Sequence, residues 1–506
     1  MSRIPVVAHH EPRCSARQVD QAERIAADLH SQIEGCRTAE LRPLQAGSLE
    51  DLPTLHLDDL CEIRQPELRC DPSFLQDRAR LRAGDGDLVA VHALPPDGYE
   101  EYCRERLRLG GVEWLQPDGR SADQLAANCW EDRDVRHELI RRIRRGTLRY
   151  VHPHLGTRPV WELAALLSEA AGRRVQVIAP LPGISRFAND KGAFCRLVEQ
   201  LIGPEAIPRT VEVNNLSQLS LRVQELAHQV YALGIKLPDS AGGGGNWVLE
   251  AAPFRKGSLV DIREELKATL GALPTEGVTR LLVTAWESDV VAVPSVQTWI
   301  PPIAEGPPVV EGLFEQTIIG KRGIFVGSRP ADLPAAVNES LVNGCWLLAR
   351  VFQLLGYLGR CSFDGLLLES GRLELIECNG RWGGTSLPMT LMNRLFGDWT
   401  RRPYFTRAWQ FTGLERVQFQ DMLGQFQDDL FDARTGAGSY VFYNPSALAA
   451  ASRVNALVLG DSPRDVSGRV EKEVREKLRG LVRPSPAGAE RTVIRDSGSR
   501  SRWSRS

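Results

Sequence analysis

FDGLLLESGRLELIECNGRWGG, Phe363 to Gly384, is the stretch on which the reading of the whole chain turns. Two apolar runs of strand length, Phe363 to Leu368 and Leu373 to Cys378, flank Ser370-Gly371, a turn signal, so the segment predicts a β-hairpin. With Ser370 and Gly371 as a two-residue turn, Glu369 faces Arg372 and Asp364 stands opposite Glu377. Such cross-strand neighbours lie about 5 Å apart at Cβ. Glu377 and Asn379 are two residues apart and share a face. Two facing carboxylates repel one another, and a divalent cation removes that conflict. The all-oxygen trio Asp364, Glu377 and Asn379 suits Mg²⁺, which is often shared with substrate phosphates. Arg381 and the glycines Gly380, Gly383 and Gly384 follow, where a guanidinium and open backbone can approach an anion. The plain alternative is an ordinary hairpin whose acids point into solvent. Against it, leucines continue along both faces (Leu366, Leu368, Leu373 and Leu375; Leu367 and Ile376), as in a strand pair buried on both sides. A buried acid needs a partner.

Upstream, Asn189-Asp190-Lys191 opens a helix that stops at Gly203. A lysine beside a helix N-terminus can meet an anion there; a surface lysine following an Asp N-cap is the alternative. Leu216 to Leu233 reads as a helix stopped by Gly234. Ile235-Lys236-Leu237 is a short strand with a lysine between apolar neighbours. Gly242, Gly243, Gly244 and Gly245 then lie between two short strands, Ile235 to Leu237 and Trp247 to Ala251. Four glycines usually make a flexible linker, but here the setting is that of a mobile loop folding over a ligand, its backbone N–H groups free for phosphate oxygens. Arg280 to Trp286 is a strand that breaks at Glu287. Ser295 to Ile300 and Val309 to Ile319 are further strands, and Ala331 to Leu358 is a long, interrupted helical stretch leading into the hairpin.

The first 180 residues alternate helices and strands, which suggests an α/β domain. Ser15 and Gln18 form a capping-box pattern ahead of a helix over residues 15–34. Leu88 to Leu94 and Arg174 to Pro180 are strands, and Pro159 to Gly172 is a helix. His152-Pro153-His154 has the look of a metal pair, but the proline disrupts its spacing and no third ligand is evident, so it reads as a loop. Past residue 400, Trp409 to Phe431 reads as helical, Gly438 to Tyr443 and Val454 to Leu459 as strands, and Arg464 to Leu478 as a charged helix. Trp382 and Trp399 read as core residues near the hairpin.

The 506 residues suffice for two to four domains. A formal net charge of -2 gives no reason to expect nucleic acid or an anionic membrane as partner. The N-terminal MSRIPVVAHHEPR has too short an apolar stretch for a signal peptide. The 10 cysteines show neither CxxC nor Cys/His metal spacing, which suggests reduced thiols and a cytoplasmic setting. There is no G-x-x-x-x-G-K-[ST], no G-x-S-x-G elbow, and no G-x-G-x-x-G between strand and helix, which removes P-loop, hydrolase and dehydrogenase readings.

In this order the pieces resemble an ATP-grasp enzyme: a helix-start lysine (Lys191), a strand lysine (Lys236), a glycine-rich lid (Gly242 to Gly245), a hinge strand ending at Trp286-Glu287, then Asp364 and Glu377-x-Asn379. The resemblance covers roughly residues 185–400. Asn189 to Phe194 (NDKGAF), Pro294 to Ile300 (PSVQTWI) and Glu377 to Ser386 (ECNGRWGGTS) resemble a subgroup with a pre-ATP-grasp N-terminal domain and a small C-terminal domain, which includes the pheganomycin-type peptide ligases.

The resemblance implies an α/β (α+β) chain with a pre-ATP-grasp α/β domain over 1–184, an ATP-grasp domain over 185–400 with its lid near 230–300, a small C-terminal α/β domain over 401–482, and a disordered tail over 483–506. It implies ATP and Mg²⁺, the metal on Asp364, Glu377 and Asn379, and the nucleotide on Lys191, Lys236, the glycine lid, Trp286 and Glu287. The implied chemistry is amide formation between a carboxylate and an amine, an amino acid or peptide, through an acyl phosphate; a small-molecule kinase or an ATP-binding regulator is the alternative. Many relatives carry an Arg two residues before the first Asp, where this chain has Ser362. Arg381 or Arg360 must then stabilise the developing charge. Whether the chain forms a homo-oligomer is left open.

Overall fold

Short, continuously apolar strands suit a parallel sheet covered on both faces, and the N-terminal residues build one. The computed structural model describes residues 5–33, 40–62, 72–119, 121–240, 245–271, 280–321 and 323–482. Strands β1 (Thr54–Leu57), β2 (Leu88–Ala90), β3 (Glu113–Leu115), β4 (Tyr150–Pro153) and β5 (Gln176–Val177) pair in parallel in the order β3-β2-β1-β4-β5. Leu55, Leu57, Leu88 and Val151 are buried in it. The helix Ala16–Gln32 begins at the expected capping box of Ser15 and Gln18. His152 and Pro153 close β4 rather than forming a loop, and among the described residues no third ligand joins His152 and His154.

A second, four-stranded sheet forms a small body of its own. It comprises β6 (Thr210–Val213), β7 (Ala232–Lys236), β8 (Asn246–Glu250) and β9 (Leu281–Ala285), in the order β6-β9-β7-β8. The helices Leu216–Ala227 and Leu259–Leu270 cover it and share a separate apolar core with it. The first of these helices ends at Ala227, and Leu233 and Gly234 belong to β7. The expected helix through Leu233 therefore overran its end, because Val230 and Tyr231 lead into the strand without a Gly or Pro to mark the break.

The third sheet has nine strands among the described residues: β10 (Val290–Ala292), β11 (Pro294–Ile300), β12 (Val309–Ile319), β13 (Ile324–Pro330), β14 (Gly359–Leu368), β15 (Leu373–Asn379), β16 (Tyr404–Gln410), β17 (Tyr440–Tyr443) and β18 (Arg453–Leu459). The path runs β10-β14-β11-β12-β13-β16-β18-β17, with β15 paired to β14 at the hairpin. The strands after residue 400 thus extend this sheet through β13 rather than forming one of their own. Trp409 lies in β16, and the only α-helix between it and Phe431 is Phe419–Gln425, so the expected helix over that span is corrected. The long helix Ala335–Leu354 runs without interruption. No helix of the described residues is long and apolar enough to cross a membrane. The tail over 483–506 lies outside the described residues.

The β13–β16 junction depends on Gly327. A Cβ there would lie 2.0 Å from the Thr406 carbonyl oxygen, a backbone atom that cannot step aside. Gly327→Ala is expected to cost about 3 kcal/mol, the upper end for overpacking, read as a lowered melting temperature. An unchanged melting temperature would mean that the two parts of the sheet do not approach this closely.

Candidate functional site

The hairpin reaches the expected register by an unexpected route. Its turn is Glu369-Ser370-Gly371, with Leu368 N–H donating to Arg372 O and Gly371 N–H to Leu368 O. Gly371 takes a φ of 81°, which favours glycine. Three loop residues shift the pairing by one, so Leu367 faces Leu373 and Leu366 faces Glu374. A bulge at Ile376 shifts it back, and Asp364 stands opposite Glu377 and Ser362 opposite Asn379.

The resulting cluster is tightly hydrogen-bonded. Asp364 is only 6% exposed. Its Oδ1 accepts from Ser295 Oγ at 2.6 Å and its Oδ2 from Asn379 Nδ2 at 2.8 Å. Gln297 Nε2 donates to Ser295 Oγ at 2.8 Å. Arg381 Nη2 donates to Asn379 Oδ1 at 2.6 Å, and its Nη1 to Asn189 Oδ1. Lys191 follows the N-cap Asp190 of helix Lys191–Leu201 and is buried, not on the surface. Its Nζ lies 3.2 Å from Glu377 Oε2 and also donates to the Ser240 carbonyl, at the root of the glycine loop. Burial and then the Glu377 charge push the Asp364 carboxyl above its ordinary range. Burial opposes the Glu377 charge as well, but Lys191, Arg381 and Lys236 outweigh it and hold that carboxyl low.

Asp364, Glu377, Asn379, Arg381, Ser295 and Gln297 line a cavity of about 190 Å³. The donor set fits a hard divalent cation: two opposed carboxylates and an amide oxygen. Gln297 Oε1, buried in the same wall, has no hydrogen-bond partner among the described residues and is one more oxygen available to a ligand. Arg78 and His154, from the N-terminal domain, also line it. Arg78 was not legible as a site residue in the sequence, and His154 enters there only as half of a metal pair that reads as a loop. Arg78 lies in a 3₁₀ segment without a motif, and His154 shows its role only once β4 is placed against the hairpin.

The remaining candidates fall in two places. Lys236 Nζ sits over the Trp286 ring, 5.4 Å from its centroid, on the four-stranded sheet. Burial lowers the Lys236 ammonium, against Cys195 and Glu377. Glu287 accepts from Arg372 Nη2 at 3.3 Å. Glu374, which belongs to no motif, pairs with the same arginine. Gly245 has a φ of 105°, and Leu237 N–H donates to its carbonyl, closing the loop's base; Gly242, Gly243 and Gly244 lie outside the described residues. Arg360 stands apart. Its side chain is fully buried against Glu311 and lies between the Trp299 and Trp382 rings, at 5.3 and 5.0 Å. It does not line the cavity, whereas Arg381 and Arg78 do.

Residues 76–168 match the family model of the Pre ATP-grasp domain. The chain is similar in structure to N5-carboxyaminoimidazole ribonucleotide synthetase, solved as its ADP complex, with a TM-score of 0.51 and 11% identity over 85% of this chain and 98% of that one. The same synthetase from Thermus thermophilus gives 0.48 and 14% over 86% and 100%, and D-alanyl-alanine synthetase A from Vibrio cholerae gives 0.36 and 14% over 49% and 72%. No curated protein sequence matches. The chain therefore has an α/β fold in which a pre-ATP-grasp domain precedes an ATP-grasp fold.

Proposed function

We propose that this protein is an ATP-dependent ligase that joins a carboxylate to an amine, an amino acid or peptide, through an acyl phosphate. The observation that carries the reading is the cavity in which Asp364, Glu377 and Asn379 meet the guanidinium of Arg381. The ADP bound in the similar synthetase supports a nucleotide in this fold. Lys236, Trp286 and Glu287 would hold the base of the nucleotide, and Lys191 would meet its phosphates. A Mg²⁺ ion held by Asp364, Glu377 and Asn379 would neutralise the phosphate charge. Arg381 stabilises charge on the phosphoryl group in transfer to the substrate carboxylate. The Ser240 carbonyl accepts from Lys191, which ties the residue just before the glycine stretch to the phosphate side of the site. The amine then displaces phosphate, leaving an amide, ADP and free phosphate. The buried free cysteines suit a reducing, cytoplasmic setting.

The test is ATP turnover with Mg²⁺ across a pool of amino acids and small peptides, reading ADP, phosphate and product mass together. Phosphate release that requires both a carboxylate and an amine, with a product one water lighter than their sum, is the expected result. A phosphorylated product without free phosphate would replace the ligase with a kinase. Lys236→Ala is expected to weaken ADP binding roughly tenfold, the loss of one charge-assisted contact. Unchanged affinity would remove Lys236 from the nucleotide site.

A further inference from the structure

Arg78, Arg80 and Arg82 lie along one short stretch that begins in the 3₁₀ segment Pro72–Leu81, and two of them are committed to ion pairs. Arg80 Nε lies 2.6 Å from Glu100 Oε2, and Arg82 pairs with Asp58; both guanidinium groups are fully buried. Arg78 differs. Among the described residues no carboxylate pairs with it within ion-pair distance, and its one side-chain hydrogen bond runs from Nε to the Leu75 carbonyl, 2.8 Å away. Arg78 lines the cavity that holds Asp364, Glu377 and Arg381, and its charge is the one that acts most on His154 in the same wall.

The position of Arg78 has a topological reason. In the order β3-β2-β1-β4-β5 the chain reverses its direction of growth between β1 and β4. Open α/β sheets bind ligands beyond the C-terminal ends of their strands at such a switch point. Asp58 follows β1 and His154 follows β4, and His154 N–H donates to Leu57 O across the gap. His154 lines the cavity beside Arg78, and among the described residues its Nδ1 has no hydrogen-bond partner, the Asp58 Oδ2 lying 3.9 Å away. The segment is also held from outside. Asp77 Oδ2 accepts from Ser446 N–H at 2.9 Å, and Arg394 donates to the carbonyls of Leu81 and Leu109. Arg78 is thus a cation on a fixed mount, near enough to Asp58 and Asp77 to feel their charge but in no ion pair among the described residues, in the wall of the cavity that holds the acids.

We propose that Arg78 holds the carboxylate of the substrate against the phosphoryl group, with His154 beside it, so that the N-terminal domain supplies the substrate side of the cavity and Arg381 the phosphate side. A guanidinium suits this task because it binds a planar carboxylate through two parallel N–H donors. The inference rests on the ligase reading above.

The probe is phosphonoacetate, which carries a carboxylate one methylene from a phosphonate, titrated by calorimetry into full-length protein loaded with MgADP. Methylphosphonate, which lacks the carboxylate, is the reference. The wild type should bind phosphonoacetate more tightly than methylphosphonate. Arg78→Gln should weaken phosphonoacetate roughly tenfold or more, to the level of methylphosphonate, while leaving methylphosphonate and MgADP unchanged. Arg78→Lys should fall between, because a lysine keeps the charge and loses the paired donors. Equal affinity for phosphonoacetate in the wild type and Arg78→Gln would overturn the proposal. So would an equal loss for both probes, which would assign Arg78 to the phosphate, or no binding of either probe to the wild-type MgADP complex. Failure of the wild type to bind MgADP at all would instead overturn the ligase reading.

Discussion

Asp364→Asn and Glu377→Gln should each lower Mg²⁺-dependent ATP turnover by on the order of a thousandfold, the scale set by losing one preorganised electrostatic group from a reaction governed by charge. The folded state should tolerate the first change; the second leaves the buried Lys191 ammonium without its carboxylate and should lower the melting temperature. Asp364 accepts from Ser295 Oγ and Asn379 Nδ2. An amide at 364 can keep its oxygen toward Asn379 and donate to Ser295, whose hydroxyl can turn to accept, so the network closes again. The variant also removes a buried charge. Burial, and then Glu377, hold the Asp364 carboxyl above its ordinary range. The folded protein then retains a proton that the unfolded chain has already released, so metal-free stability falls as pH rises from about 4 toward the raised value. The amide that replaces the carboxyl has no such proton to lose and escapes that fall. At pH 8 the metal-free Asp364→Asn protein should melt no lower than the wild type, whereas MgADP should raise the melting temperature of the wild type more than that of either variant. Full turnover in either variant would remove the metal assignment. A variant that fails to fold would mean that the acids are structural.

How far the sequence carried depended on whether a feature is local. The hairpin acids were legible because strand periodicity and one turn signal bring them together within sixteen residues. Even there, two opposite register shifts, at the Gly371 turn and the Ile376 bulge, cancel. A residue count alone cannot distinguish that route from an unshifted hairpin. Lys191 was legible as the start of a helix, but its burial against Glu377 and Ser240 comes from the meeting of three separate segments. Tyr404 to Gln410 became a strand because β13 and β18 pair with it on either side; tertiary pairing outweighs local preference in such strands. Arg78 lies nearly three hundred residues from Asp364, and only the sheet order and the docking of the domains bring it to the acids.

Arg360 tests the boundary between legible and illegible most directly, because its place in the sequence suggested chemistry and its surroundings assign it structure. Arg360→Met should destabilise the protein by about 3–5 kcal/mol, the cost of leaving a buried charge without its partner. Arg360 and Glu311 have no exposed side-chain surface, and neither has another ion-pair partner among the described residues. The guanidinium also rests between the Trp299 and Trp382 rings and donates to Thr390 Oγ1 at 3.3 Å. Trp382 in turn donates through Nε1 to His152 Nε2, so Arg360 sits where the hairpin meets β4. Replacing both charges, as in Arg360→Met with Glu311→Leu, should recover most of the lost stability, because two apolar side chains of similar volume avoid the desolvation of both ions. Thermal unfolding of the two single variants and the double variant, as a mutant cycle, separates the roles. A structural pair gives two unstable single variants and a restored double variant that still turns over ATP. Arg360→Met of wild-type stability but without turnover would return Arg360 to the chemistry and displace Arg381 from the position it is given above.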